Sequence, residues 1–327
     1  MSHNAYYVNL RLPPRTLHRN CGKACGNVLN CTTKAPKINA YSKLNRIWSL
    51  VLLLKSRQKN LKNAPIFRLL RNPLGQQPIF TRVLFNACAI IPEMVAVWFG
   101  TSGFSYKEWR PAFYPEGLSD KQFLQFYSTR LNSVEIDSTF YRMPSAKTIE
   151  AWRLATPQDF KFTLKASQQI THRQRLKLPS DALDYFMNVV PGLGSRLGMV
   201  LFQLPPFFKC DRGKLEAFLS VLPRGIPAAF EFRHDSWFNS EVYGLLRKHN
   251  VALCIHDADE HTTPVELTAP FTYIRLRRSV YSASLRKEWQ DRIRTWAADS
   301  IEVFAYIKHE DNPDAPQIAL EFASGLR

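Results

Sequence analysis

Gly198-Met-Val-Leu-Phe-Gln-Leu204, then Lys214 to Leu222, then Ala228-Ala-Phe-Glu-Phe232 decide the fold. The first and last segments are short apolar runs bounded by Pro205 and by charged residues, which reads as buried strands. The middle segment places Leu215, Phe218, Leu219 and Leu222 at helical spacing. A strand, a helix and another strand within about 35 residues form a crossover unit of a parallel sheet.

The same unit recurs in both directions. Strands are expected at Val97–Phe99, Val134–Ile136, Phe160–Lys165, Gly198–Leu204, Ala228–Phe232, Val251–Ile255, Phe271–Leu276 and Ile301–Ile307. Helical spacing falls between them, at Ser119–Thr129, Ser145–Leu154, Ser180–Val190, Lys214–Leu222, Ser240–His249, Ser284–Ala298 and Pro316–Ser324. Ser119, Ser145 and Ser180 are expected to cap their helices. Eight units of about 29 residues match a TIM-like (β/α)8 barrel. A doubly wound sheet would need a glycine-rich phosphate turn. Gly100-Thr-Ser-Gly103 lacks the third glycine and the acid about 20 residues on, so no dinucleotide site and no cofactor is expected.

Charge divides the chain. The net charge is +17, but residues 1–94 hold 15 Lys and Arg against the single acid Glu93. Residues 95–327 hold 29 bases and 26 acids, an ordinary balance that removes most of the whole-chain argument for nucleic acid. The basic segment could be a nucleic-acid-binding or membrane-surface arm, or a targeting peptide. It is punctuated by Pro13, Pro14, Pro36, Pro65, Pro73 and Pro78 and shows no clean amphipathic helix, so the preferred expectation is a disordered extension or a mis-assigned upstream start, with a complete domain running from Met94. Cys21, Cys25 and Cys31 with His18 lack the paired spacing of a zinc site. Six cysteines are too few for a disulfide scaffold, so reduced thiols and a cytoplasmic location are expected. No apolar stretch reaches 18 residues, so no membrane partner is expected.

Several motifs resemble the DUF72 family, also called YecE-like: Gly100-Thr-Ser-Gly-Phe-Ser-Tyr106, Val134-Glu-Ile-Asp-Ser-Thr-Phe-Tyr141, Phe162-Thr-Leu-Lys165 with Thr171-His172, Leu201-Phe-Gln-Leu-Pro-Pro206 and Phe230-Glu-Phe-Arg-His234. The resemblance covers about Val97 to the C-terminus in the family's order. It implies a TIM-like barrel and brings no established reaction with it. Two departures stand out. Where the family reads Tyr-x-Arg-x-His-Gly at the seventh strand, this chain reads Tyr273-Ile-Arg-Leu-Arg277-Arg278. Where the family has an aromatic and an Asn pair after the eighth, this chain continues Lys308-His309-Glu310.

Barrels place their sites at the C-terminal ends of the strands. Collecting those ends gives Glu135, Lys165, Glu231 and Asp257 as candidate catalytic groups. Tyr106, Tyr141, His172, Gln203, Arg233, His234, Arg275 and Lys308 are candidate substrate contacts. Asp137 and His256 belong to the same rim. Glu135 and Glu231 each lie between apolar neighbours, so alternation points them inward, where a charge needs a partner. Lys165 and Arg275 are the expected partners. Strands two and five lie far apart on the rim, so the two glutamates are expected to be widely separated. No spacing such as His-Glu-x-x-His singles out a metal site.

The expected activity is acid–base chemistry on a small anionic or polyhydroxylated substrate. The alternative is a non-catalytic barrel that binds a phosphorylated ligand or nucleic acid. Geometry separates the two. An open pocket lined by convergent groups favours catalysis, saturated ion pairs under a closed roof favour a structural role, and a basic groove with exposed aromatics favours nucleic acid.

Overall fold

The computed structural model describes residues 96–308 and 313–326. The readings of residues 1–94, including the cysteine cluster, lie outside the described residues, as do His309 and Glu310.

Eight parallel strands form one sheet in the order β1-β8-β7-β6-β5-β4-β3-β2. They are β1 (Val97–Thr101), β2 (Ser133–Ile136), β3 (Lys161–Lys165), β4 (Leu197–Gln203), β5 (Ala228–Glu231), β6 (Ala252–Asp257), β7 (Phe271–Leu276) and β8 (Glu302–Ile307). Each falls within about two residues of its expected place. Ser102 bridges Glu135, and the Gly103 amide donates to the Glu135 carbonyl at 2.7 Å, so β1 meets β2 and the sheet closes.

Helices fill the crossovers: α1 (Phe123–Tyr127), α2 (Ser138–Tyr141), α3 (Ala146–Leu154), α4 (Asp181–Val189), α5 (Arg212–Val221), α6 (Ser240–Lys248), α7 (Ala283–Ala298) and α8 (Ala315–Ser324). Ser145 and Ser180 cap α3 and α4 as expected, accepting from the amides of Thr148 and Leu183. Ser119 does not cap with its side chain, and only a short helix follows a 3-10 turn there. Among the described residues no helix is long and apolar enough to cross a membrane.

Side chains alternate in and out of the barrel. Val134, Phe162, Phe202, Phe230, Ile255, Ile274 and Ala305 face outward into one apolar layer with the helices. Met199, Leu201, Ala229, Cys254, Tyr273, Phe304 and Tyr306 fill the interior. The Tyr306 hydroxyl bonds Ser133 at 2.5 Å and Thr163 at 2.9 Å, which satisfies its buried oxygen. The next inward positions toward the strand C-termini are Glu135, Gln203, Glu231, His256 and Arg275. The lower interior is therefore apolar and the mouth ionic.

The β1–β2 seam depends on Gly100. A Cβ there would lie 1.9 Å from the Ser133 carbonyl oxygen, and backbone cannot swing aside. Gly100→Ala is expected to lower stability by about 3 kcal/mol, the upper range for overpacking. Urea unfolding followed by tryptophan fluorescence measures it.

Candidate functional site

The site is built from side chains spaced two residues apart at the strand ends. On β7, Tyr273 and Arg275 point inward, and Arg277, one residue past the strand, reaches Ser102 and Glu135. Arg275 is completely buried, at 1% exposure. Its guanidinium bonds Glu231 at 2.7 Å through one terminal nitrogen and Glu135 at 2.6 Å through the other. The second nitrogen also reaches Asp137 at 3.2 Å. The glutamates of β2 and β5 are thus joined by a single side chain, closer than their positions on the rim suggest.

Both glutamates are saturated. Glu135 accepts from the Ser102 hydroxyl at 2.5 Å, from Arg277 at 3.2 Å and from the Tyr273 hydroxyl. Glu231 accepts from Gln203 and from Arg233 Nε, each at 2.9 Å. Burial opposes the Glu135 charge, but the adjacent Arg275 and Arg277 outweigh it and hold the carboxyl down at about 2. Burial likewise opposes the Glu231 charge, and Arg275 and Arg233 hold that carboxyl well below the usual range. The same two carboxylates keep Arg275 protonated despite its burial.

Above this ionic floor is an open pocket of about 500 Å³. Asp137, Lys165, His256, Arg233, Arg277 and Lys308 are among its lining residues. Lys165 Nζ lies 3.6 Å from Asp137 and 4.4 Å from the centre of the Phe140 ring. The environment moves these two groups in opposite directions. Burial and the neighbouring Glu135 charge push the Asp137 carboxyl up. Burial and Arg275 push the Lys165 ammonium down. Burial also pushes His256 down to about 4, which leaves a neutral imidazole at neutral pH. The Nε groups of Arg275 and Arg277 are buried donors without a partner among the described residues.

The other expected site residues divide. Gln203 and Arg233 join the cluster through Glu231, and Lys308 lines the pocket. His172 packs its ring edge on Phe140 at 4.8 Å, and burial with nearby Lys165 lowers its pKa. Tyr106 donates to the Ser102 carbonyl at 3.1 Å and so braces the β1 loop. Tyr106 and His172 do not line the pocket, and three further residues are not brought into it. Tyr141 is 74% exposed on the outer rim. His234 faces away and accepts from the Ser236 amide. Asp257 also faces away, toward α7, with its carboxylate held by Arg278 at 2.7 Å and by Trp289 Nε1 at 3.0 Å.

Sequence reasoning put His256 and Arg277 near the rim but outside the candidate site, and missed Tyr273. The missing signal was period two. Counting from Cys254 puts His256 inside and Asp257 outside. Among the described residues, no group of three or more His, Cys, Asp and Glu is arranged to hold a metal ion. A second cavity, of about 570 Å³, lies at the opposite end of the barrel, beside Phe99, Asn132 and Phe160, away from this cluster.

These features define a parallel eight-stranded barrel with an ionic, solvent-open mouth. Residues 98–327 match the family model described as "Protein of unknown function DUF72", and the chain belongs to that family. A DUF72 family protein of Thermotoga maritima is 28% identical and superposes with a TM-score of 0.57, covering 70% of this chain and 98% of that one. A DUF72 family protein of Enterococcus faecalis shares the fold at 19% identity and a TM-score of 0.56, covering 71% of this chain and 98% of that one. The UPF0759 protein YunF of Bacillus subtilis is 34% identical over 156 residues, 45% of this chain and 54% of that protein. The UPF0759 protein YecE of Escherichia coli K12 is 31% identical over 116 residues, 35% of this chain and 43% of that protein. The chain thus spans about half the length of these curated relatives.

Arg275→Met would leave two buried carboxylates facing each other, and a loss of about 3–5 kcal/mol is expected. The pH dependence has a fixed sign. The folded pKa of Glu135 lies below its unfolded value, so its stabilisation is present above the ordinary carboxylate range and is lost as pH falls toward about 2. Urea midpoints measured across that window should fall with pH, and should fall less steeply in Glu135→Gln.

Proposed function

We propose that this barrel is an enzyme that transfers protons on a small anionic substrate held at the mouth. One observation carries the reading: Asp137 and Lys165 face each other at 3.6 Å in an open pocket, with their proton affinities shifted toward one another. A raised carboxyl and a lowered ammonium are the direction required of an acid and a base that exchange protons near neutral pH. Lys165 is the proposed base once neutral, and Asp137 the proposed acid.

The remaining candidates take supporting roles in this reading. Arg277, Arg233 and Lys308 present positive charge to a carboxylate or phosphate. Neutral His256 offers a donor and an acceptor to a hydroxyl group. Glu135 and Glu231 serve as ionised supports that fix Arg275 and Gln203. They do not exchange protons themselves, because their cationic partners hold them ionised. His172 stands against Phe140, on which Lys165 also rests, and Tyr106 braces the β1 loop. Asp257 anchors the segments that follow β6 and β7.

Saturation of Glu135 and Glu231 favours a second reading, a barrel that binds a phosphorylated ligand without turnover. A thermal-shift screen of the full chain against sugar phosphates, hydroxy acids and inorganic phosphate separates the readings. A hit is expected to raise the melting temperature, since ligand at 100 Kd adds about 2.7 kcal/mol. Arg277→Gln should abolish the shift. Lys165→Met and Asp137→Asn should keep it, while turnover of the hit falls by about 10²-fold or more. Turnover unaffected by either substitution would end the acid–base reading. Binding with no turnover in the unaltered chain would establish the second.

A further inference from the structure

The bases on α5, α6 and α7 are matched with acids. Arg212 pairs with Glu241 at 2.9 Å, Lys248 with Glu216 at 2.8 Å, Arg286 with Glu321 at 2.7 Å and Arg292 with Glu288 at 3.1 Å. The loops that follow β2, β3 and β4 differ. They carry Arg142, Arg173, Arg175, Lys177 and Lys209, all exposed. None of the five makes an ion pair or a side-chain hydrogen bond to a described residue. From residue 166 to residue 180 there is no acid at all.

These three strands are neighbours in the sheet, so their loops adjoin at the mouth end of the barrel. The middle loop is held in an uncommon conformation. Arg175 and Leu176 are consecutive residues at φ 49° and 61°, in the left-handed region that side chains disfavour. Leu176 is buried to 1% exposure and plugs the loop into the core, while Arg175 and Lys177 on either side are exposed. Two large rings are exposed on the same loops, Tyr141 at 74% and Phe207 at 67%. Tyr141 stands edge-on to Phe140, whose ring also receives Lys165. Phe207 follows the rigid Pro205-Pro206 pair.

Unmatched bases flanked by solvent-exposed aromatic faces suit one kind of partner. Bases alone would suit any polyanion. Rings beside them add value only when the polyanion carries flat groups that can stack, and in a nucleic acid those faces are open only in a single strand. We infer that the loops after β2, β3 and β4 form a binding face for single-stranded nucleic acid, with Arg173, Arg175 and Lys177 on phosphates and Tyr141 and Phe207 under bases. The face lies outside the Asp137–Lys165 pocket and does not rest on the acid–base reading, so either can fail alone.

The test uses the full chain and a 12-nucleotide single strand carrying 4-thiouridine. Photo-crosslinks mapped by mass spectrometry are expected on peptides containing Tyr141 or Phe207. Adducts confined to residues 1–94, or found only elsewhere on the barrel, would overturn the inference. In fluorescence anisotropy, the triple change Arg173→Gln, Arg175→Gln, Lys177→Gln should reduce the slope of log affinity against log salt by about 2. Tyr141→Ala with Phe207→Ala should weaken oligonucleotide binding by about tenfold and leave inorganic polyphosphate binding unchanged. An unchanged salt slope, or equal losses for polyphosphate and oligonucleotide, would contradict it. All substitutions are at exposed positions, and unchanged thermal melting confirms that the variants fold.

Discussion

The mouth of this barrel depends on one buried guanidinium. Arg275 extends from β7 into the interior and joins carboxylates from β2 and β5. An isolated charge in that position would be prohibitively costly to desolvate. A planar fork that meets two carboxylates at once is the geometry in which such burial is tolerated. The surrounding donors follow from this. Tyr273, Ser102 and Gln203 supply bonds that the two carboxylates would otherwise lack. The network is retained here even though buried ion pairs often add little net stability.

That arrangement separates support from chemistry. Four carboxylates stand at the strand ends, and they fall into three electrostatic settings. Glu135 and Glu231 are held ionised by their cations. Asp257 is turned outward to Arg278 and Trp289. Asp137 is reached by Arg275 at 3.2 Å and Lys165 at 3.6 Å, but burial and the Glu135 charge outweigh them and push its carboxyl up, and it lines the pocket. In the proposed function the positive charge above it holds an anion. The unmatched bases on the outer loops extend the same attraction beyond the pocket.

The fold was legible because parallel barrel strands, covered on both sides, appear as apolar runs at regular spacing. All eight were recognisable for that reason. The site was legible in part. Glu135 and Glu231 stood out as charges inside apolar strands, and Arg275 as their natural partner. Distance around the rim was the wrong measure for the glutamates, because an arginine side chain spans the interior of so narrow a barrel. Asp257 was named as a catalytic candidate and His256 only as part of the rim, although alternation from Cys254 places the histidine inside. The proton-affinity shifts of Asp137 and Lys165 had no sequence signal, since they arise from contacts made across β2, β3 and β7. The capping role of Ser119 failed locally. The backbone there begins in a 3-10 turn, and the serine carbonyl makes the first bond in place of its hydroxyl.

The central claim is that Arg275 splits the carboxylates of the mouth into ionised supports and one proton-exchanging group. Carbon-13 NMR titration of side-chain carboxyl carbons in the full chain, assigned with Glu135→Gln, Glu231→Gln and Asp137→Asn, tests it directly. The account predicts that the Glu135 and Glu231 signals stay ionised well below the usual carboxylate range, while the Asp137 signal titrates above it. A glutamate titrating at its ordinary value, or an Asp137 pKa below the ordinary aspartate value, would contradict it.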